Sequence, residues 1–192
     1  MIGTMKKRLL LASVAALSAL CWRSALCWTY QTETDMHGTS NSASVTSDNS
    51  ETLSFPWHGG PANLTIRKHP KYGLDVYIDV PDGQIICDYY DGGCPISVKF
   101  DDGEVETFSG LGPADHSSTI IFLQPESRFI SKAKKAKTVV IELTFFQDGV
   151  HEYRFSIEGL QWKQAEAKPK PKDTSDAYIN DLIARLKKQQ SN

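Results

Sequence analysis

The sequence predicts a mainly β protein: an antiparallel β-sandwich or strongly curved sheet with one packed α-helix, extended by a C-terminal amphipathic helix on a linker. Short runs of alternating apolar and polar residues argue for half-buried strands. In Gly73 to Val80, Leu74, Val76, Ile78 and Val80 face one way and Asp75, Tyr77 and Asp79 the other, the pattern of an antiparallel sheet with one wet side. Turn chemistry separates such runs, at Pro81-Asp82-Gly83, Asp102-Gly103 and Gln147-Asp148-Gly149. A single internal segment, Glu126 to Lys137, has a helical period. Phe129, Ile130, Ala133 and Ala136 share one face of it, and Arg128, Lys132, Lys135 and Lys137 cover much of the rest.

The chain has 192 residues, enough for one domain with extensions. At its start, Lys6, Lys7 and Arg8 precede the uncharged run Leu9 to Leu20. A basic stretch before a short apolar one is the pattern of a secretory signal peptide, too short for a spanning anchor. Residues 1–27 are therefore expected to be removed. Ala25 and Cys27 favour cleavage after Cys27, with Ala19 and Cys21 offering the alternative after Cys21. Acylation of either cysteine as a lipoprotein is disfavoured by the bulky Leu20 and Leu26 before them. A periplasmic or secreted location follows. Losing the four cations Lys6, Lys7, Arg8 and Arg23 moves the formal charge from −2 to −6, which argues against a nucleic-acid partner. No later run approaches the ~20 apolar residues that span a bilayer, so no stable membrane insertion is expected. Four cysteines become two, Cys87 and Cys94. An even pair in an exported chain reads as a disulfide, and neither a metal nor a cofactor is expected.

The β-rich domain is expected over residues 28–162. Trp28 to Thr52 is polar; Trp28 and Tyr30 admit an edge strand and Ser42 to Ser47 a second, against the alternative of a loose leader. Trp57-His58-Gly59-Gly60-Pro61 is a turn, and its His-Gly-Gly has no Gly-x-Ser-x-Gly elbow to serve as an oxyanion loop. Ala62 to Arg67 alternates as a strand. Gln84 to Cys87 and Pro95 to Phe100 are expected as strands on either side of the loop Asp88 to Gly93, and Asp102-Gly103 as a two-residue type I′ turn. After the loop Phe108 to Ser118 come the strand Thr119 to Leu123, the helix, and the long strands Thr138 to Phe146 and Val150 to Ile157. Residues 163–173 form a Lys/Pro linker. Residues 174–192 form the amphipathic helix, whose stripe of Tyr178, Ile179, Leu182, Ile183 and Leu186 is expected to dock on a partner, its own domain or a second copy.

No set of residues is arranged for chemistry. Asp115, His116, Ser117 and Ser118 are sequence neighbours, whereas a catalytic triad draws on separate elements. Ser47-Asp48-Asn49 and Ser131-x-x-Lys134 match β-lactamase motifs in reversed order, without Lys-Thr-Gly. Acidic ligands at EF-hand spacing are missing around Asp88 and Asp91. The expected recognition residues are Asp88, Tyr89, Tyr90 and Asp91 in one loop and Asp101, Asp102 and Glu104 at a hairpin tip. The expected function is non-enzymatic: an exported protein-binding accessory of the bacterial envelope. The alternative is a periplasmic inhibitor of a hydrolase such as lysozyme, presenting these carboxylates to a basic cleft.

Trp28, the apolar run ending in Cys87, Lys99-Phe100-Asp101 and Phe155 with Gly159-Leu160 carry a family resemblance over residues 28–162. On these positions the chain resembles a group of exported proteobacterial β-domain proteins, and more distantly it is similar to the type VI secretion accessory family called VasI or TagO. The resemblance implies an envelope accessory, with secretion as its process, and carries no catalytic residue with it.

Overall fold

A computed structural model of the protein describes residues 28–87 and 93–163. Contacts divide the chain into two units, Met1–Leu160 and Gln161–Asn192. The fold belongs to the first. The described residues of the second, Gln161 to Lys163, have no regular structure, and the expected C-terminal helix lies outside the described residues.

The first unit is mainly β. Its elements are β1 (Thr29–Asp35), β2 (Gly38–Thr52), β3 (Gly59–His69), β4 (Gly73–Asp79), β5 (Cys94–Phe100), β6 (Val105–Leu111), β7 (Ile120–Gln124), α1 (Glu126–Ala133), β8 (Thr138–Phe145) and β9 (Gly149–Ser156). The strands form one antiparallel nine-stranded sheet in the order β1-β2-β3-β4-β7-β6-β5-β8-β9. Of the two expected forms, the curved sheet is the one observed. It curls until β9 lies beside the C-terminal half of β2.

Side chains at alternate positions fill the inside of the curl. Leu64 and Ile66 of β3, Val76 and Ile78 of β4, Ile121 and Leu123 of β7, Val139, Ile141 and Leu143 of β8, and Tyr153 and Phe155 of β9 are all buried. Helix α1 lays Phe129, Ile130 and Ala133 against this core. The Phe129 ring sits 5.3 Å from Phe100 and 5.8 Å from Phe108, centroid to centroid. Burying one such side chain is worth about 1.5–3 kcal/mol, so this apolar face fixes the helix more firmly than its short length would. Its basic residues are not a free patch. Lys132 pairs with Glu106 at 2.6 Å, while the Arg128 guanidinium lies 3.9 Å from the Phe108 ring centre and donates to the Thr107 carbonyl.

β3 begins at Gly59, inside the expected Trp57 to Pro61 turn, and β6 runs on to Leu111, inside the expected Phe108 to Ser118 loop. Four further expectations need correction. The polar N-terminal stretch forms a full hairpin, with β2 longer than Ser42 to Ser47, because Ala43 and Val45 bury their side chains while β3 pairs with the strand's other edge. Gln84 to Cys87 is not a strand. Ile85 makes one bridge to Phe145, the Ile85 amide donates to Ser118, and the Ile86 amide donates to Thr144. The segment thus divides its backbone bonds between two elements. It passes so close to the core that a Cβ on Gly83 would lie 2.8 Å from the Phe145 ring.

The helix ends at Ala133, four residues early, because the chain must bring the Lys137 and Thr138 amides to the Asp101 carboxylate. That same contact replaces the expected type I′ turn. Asp101 takes the positive φ of 47°, its amide donates to Thr138, and Gly103 donates back to Phe100.

Candidate functional site

The expected disulfide is present between Cys87 and Cys94. Cys94 pairs with Gly110 at the start of the β5–β6 ladder. Gly93, at φ +118°, lies so close that a Cβ there would come within 2.9 Å of Leu111. The bond therefore ties the segment ending at Cys87 to the start of β5, with Cys87 Sγ 3.3 Å from the Gly110 carbonyl oxygen.

The expected recognition residues fare differently. Asp88, Tyr89, Tyr90 and Asp91 lie outside the described residues, as do Tyr178, Ile179, Leu182, Ile183 and Leu186. Asp102 and Glu104 sit exposed at the β5–β6 tip. Asp101 is held there as a structural acceptor, since its Oδ1 takes hydrogen bonds from the Thr138 amide, the Lys137 amide and the Thr138 hydroxyl. These bonds, chiefly that from the Thr138 amide and then that from Lys137, hold its carboxyl below the usual range. A shallow hollow of about 370 Å³ beside this tip is lined by both signs of charge, including Lys99, Arg154, Glu142 and Glu152.

Two other constellations were not foreseen. One is a polar seam between β2 and β9. The pairing of β2 with β3 shifts register between Thr46 and Ser50, so that Ser47, Asp48 and Asn49 bulge. The Asn49 amide then acts as a missing ladder pair: Nδ2 donates to the Glu152 carbonyl at 2.7 Å, and Oδ1 accepts from the Arg154 amide at 2.8 Å. Nearby, His151 is held between Glu51 and Asp148, each 3.0 Å from one ring nitrogen, and Asp148 accepts from the Ser54 hydroxyl at 2.6 Å. Burial works against the His151 imidazolium, but bonds to Glu51 and Asp148 outweigh it and raise its pKa. Asp148 is shifted down, first by the Ser54 hydroxyl bond. The serine bonds the carboxylate rather than the imidazole, so this chain is built to hold the seam, not to activate a nucleophile. Beside it, the Tyr153 phenol has no hydrogen-bond partner among the described residues, and burial followed by the Glu51 charge pushes its pKa up to about 12.

The other is a groove of about 480 Å³ on the outer face of β3, β4 and β7. Because Arg67 pairs with Asp75 and Tyr77 with Phe122 across the ladders, their side chains all point away from the core. The Tyr77 and Phe122 rings meet at 5.5 Å, and Arg67 lies 5.5 Å over Tyr77 while bonding Asp75 at 2.7 Å. Tyr72, 61% exposed, forms one lip and stacks 4.6 Å from the buried His69 ring. Leu111, Pro113 and Asp115 form the opposite wall, with Glu126 at one end. More of the groove's surface is apolar than polar. The disulfide lies against Gly110, next to the groove's wall at Leu111.

The outward set Asp75 and Tyr77 was legible from alternation in β4. Its meeting with Phe122 was not, because β4 and β7 are neighbours only in the folded topology. Among the described residues no cluster of His, Cys, Asp or Glu could hold a metal ion, and no helix is long and apolar enough to cross a membrane. No family model, no curated protein and no solved structure matches the chain.

Proposed function

We propose that the protein is an exported, non-catalytic accessory of the bacterial envelope that holds another protein in the outer-face groove between β4 and β7. The observation that carries this is the groove itself. Tyr72, largely exposed, and the half-buried Phe122 both line it, where an ordinary outer face would carry solvated polar residues. Exposed aromatics in a concave, well-supported setting are the usual anchors of protein recognition. Export is supported by the sequence of residues 1–27 and by the Cys87–Cys94 disulfide, a bond that persists in oxidising compartments.

Two acid–base groups, His151 and Asp101, serve the fold. His151 lies between two carboxylates and Asp101 anchors the start of β8. The test is a photo-activatable side chain at position 122, compared with one at the exposed Val150 on β9, in intact cells. One discrete adduct at 122 and none at 150 is expected. Equal labelling at both positions, or none at either, would remove the groove as the functional site.

A further inference from the structure

We infer that the groove takes an extended, basic segment of its partner, with a lysine or arginine stem lying across the apolar surface of Phe122 and Leu111 and its cationic head among the carboxylates. This rests on the groove being the binding site and adds the chemistry of the occupant. Three carboxylates line the groove, Asp75, Asp115 and Glu126, against the single cation Arg67. Asp75 is already neutralised by Arg67, whose Nε and Nη2 both donate to its Oδ2. Asp115 accepts the Ser117 amide through Oδ1, and Glu126 has no ion-pair partner among the described residues.

The groove thus offers apolar surface from Tyr72, Phe122, Leu111 and Pro113, with the neutral Arg67–Asp75 pair on its floor and two carboxylates at its wall and end. A long basic side chain matches that division, because its methylenes bury on apolar surface while its head reaches polar surroundings. Aromatic faces attract cations, but the chain's own Lys71 already takes the Tyr72 ring at 5.1 Å, which leaves the Phe122 ring and Leu111 to the partner's stem. Lys71 sits on the rim and lowers the excess to about one charge there, leaving Asp115 and Glu126 at the opposite side. An extended chain suits the backbone as well. β4 pairs with β7 only over Tyr77, Ile78 and Asp79, so Gly73 to Asp75 border the groove with no strand partner on that side.

The test follows amide and aromatic resonances of the purified exported chain by NMR, titrating four probes. These are the blocked pentapeptide Ac-Ala-Lys-Ala-Lys-Ala-NH2, its arginine and norleucine counterparts, and a trimer of N-acetylglucosamine. The expected result is shifts confined to Tyr72, Asp75, Phe122 and Gln124 with the lysine and arginine peptides, diminishing as salt is raised. The double variant Asp115→Asn, Glu126→Gln keeps the Ser117 acceptor and the helix. It should weaken the lysine peptide about tenfold, as two exposed ion pairs of up to ~1 kcal/mol each allow.

Equal binding of the norleucine peptide, or an unchanged affinity in the double variant, would overturn the basic occupant and leave the groove as an apolar site. Shifts with the sugar alone would overturn it in favour of a glycan. No shift with any probe would count against the occupant and, together with absent labelling at position 122, against the groove itself.

Discussion

Truncating Asn49 to alanine should open the seam that closes the sheet. Asn49 makes three hydrogen bonds: to the Glu152 carbonyl, from the Arg154 amide, and to the Glu51 carboxylate at 2.6 Å. The two bonds to β9 stand in for a ladder pair that the bulge in β2 removes. Each typical bond contributes about 1 kcal/mol net. Water reaches this half-buried site and rescues part of the loss, so a total of about 2 kcal/mol is expected from the three. Against a domain stability on the order of 5–15 kcal/mol, that moves the thermal midpoint by roughly 6–10 °C. Urea unfolding should show a lower midpoint with an unchanged slope, and hydrogen exchange should show the Arg154 amide losing protection. The variant Asn49→Asp separates the two bonds. It keeps the acceptor for Arg154 but faces a second oxygen towards the Glu152 carbonyl and the Glu51 carboxylate, so it should be the worse variant at neutral pH and recover as the pH falls. A loss below about 0.5 kcal/mol for Asn49→Ala, within the scatter of ordinary surface changes, would refute the reasoning.

The raised pKa of His151 gives a signed pH dependence. Its contribution is fully present below the unfolded value near 6.5 and is lost as the pH rises through its higher folded value. The urea-midpoint gap between the natural protein and His151→Gln should therefore shrink from pH 6 to pH 9, and a gap that widens would contradict the Glu51–His151–Asp148 arrangement. Tyr153→Phe should cost nothing and gain up to about 1 kcal/mol, because the buried hydroxyl it removes has no partner among the described residues. A clear loss in thermal melting would point to a bond that the geometry does not contain. Reducing Cys87–Cys94, seven positions apart, should lower stability by about 2–3 kcal/mol on the chain-entropy model. It should also perturb Gly110 and Leu111 resonances, since the bond lies against Gly110, and silence at those residues would break the link.

The strands were legible wherever one face is buried, because alternation is then enforced residue by residue. Leu74 to Asp79 in β4 and Val139 to Phe145 in β8 are the clearest cases. The β1–β2 hairpin was only half legible. β1 is exposed at every position, so no periodicity marks it and only pairing with β2 makes it a strand. Gln84 to Cys87 misled for the opposite reason. Its apolar residues reflect packing near Phe145 rather than membership of a ladder. Asp101 stood out as an acidic tip residue, and its actual role, receiving the amides of Lys137 and Thr138, depends on a partner 36 and 37 positions away. The Ser47-Asp48-Asn49 triplet drew notice as a spurious catalytic motif, when its meaning is a bulge opposite β9. Contacts across such separations have no local signature. The groove is of that kind: Tyr72, Tyr77 and Phe122 come together through a strand order that composition and spacing do not specify.

The central claim, that the groove between β4 and β7 holds a partner, is tested most directly by equilibrium binding to whichever protein forms the adduct at position 122. The comparison is between the natural chain and the double variant Tyr72→Ala, Phe122→Ala. Tyr72 is exposed and Phe122 half-buried, so the fold should hold with a lower urea midpoint, because the His69 and Tyr77 rings each lose a neighbour. At least a tenfold loss of affinity, the equivalent of about 1.4 kcal/mol, is expected with that fold intact. Unchanged affinity in a folded double variant would contradict it.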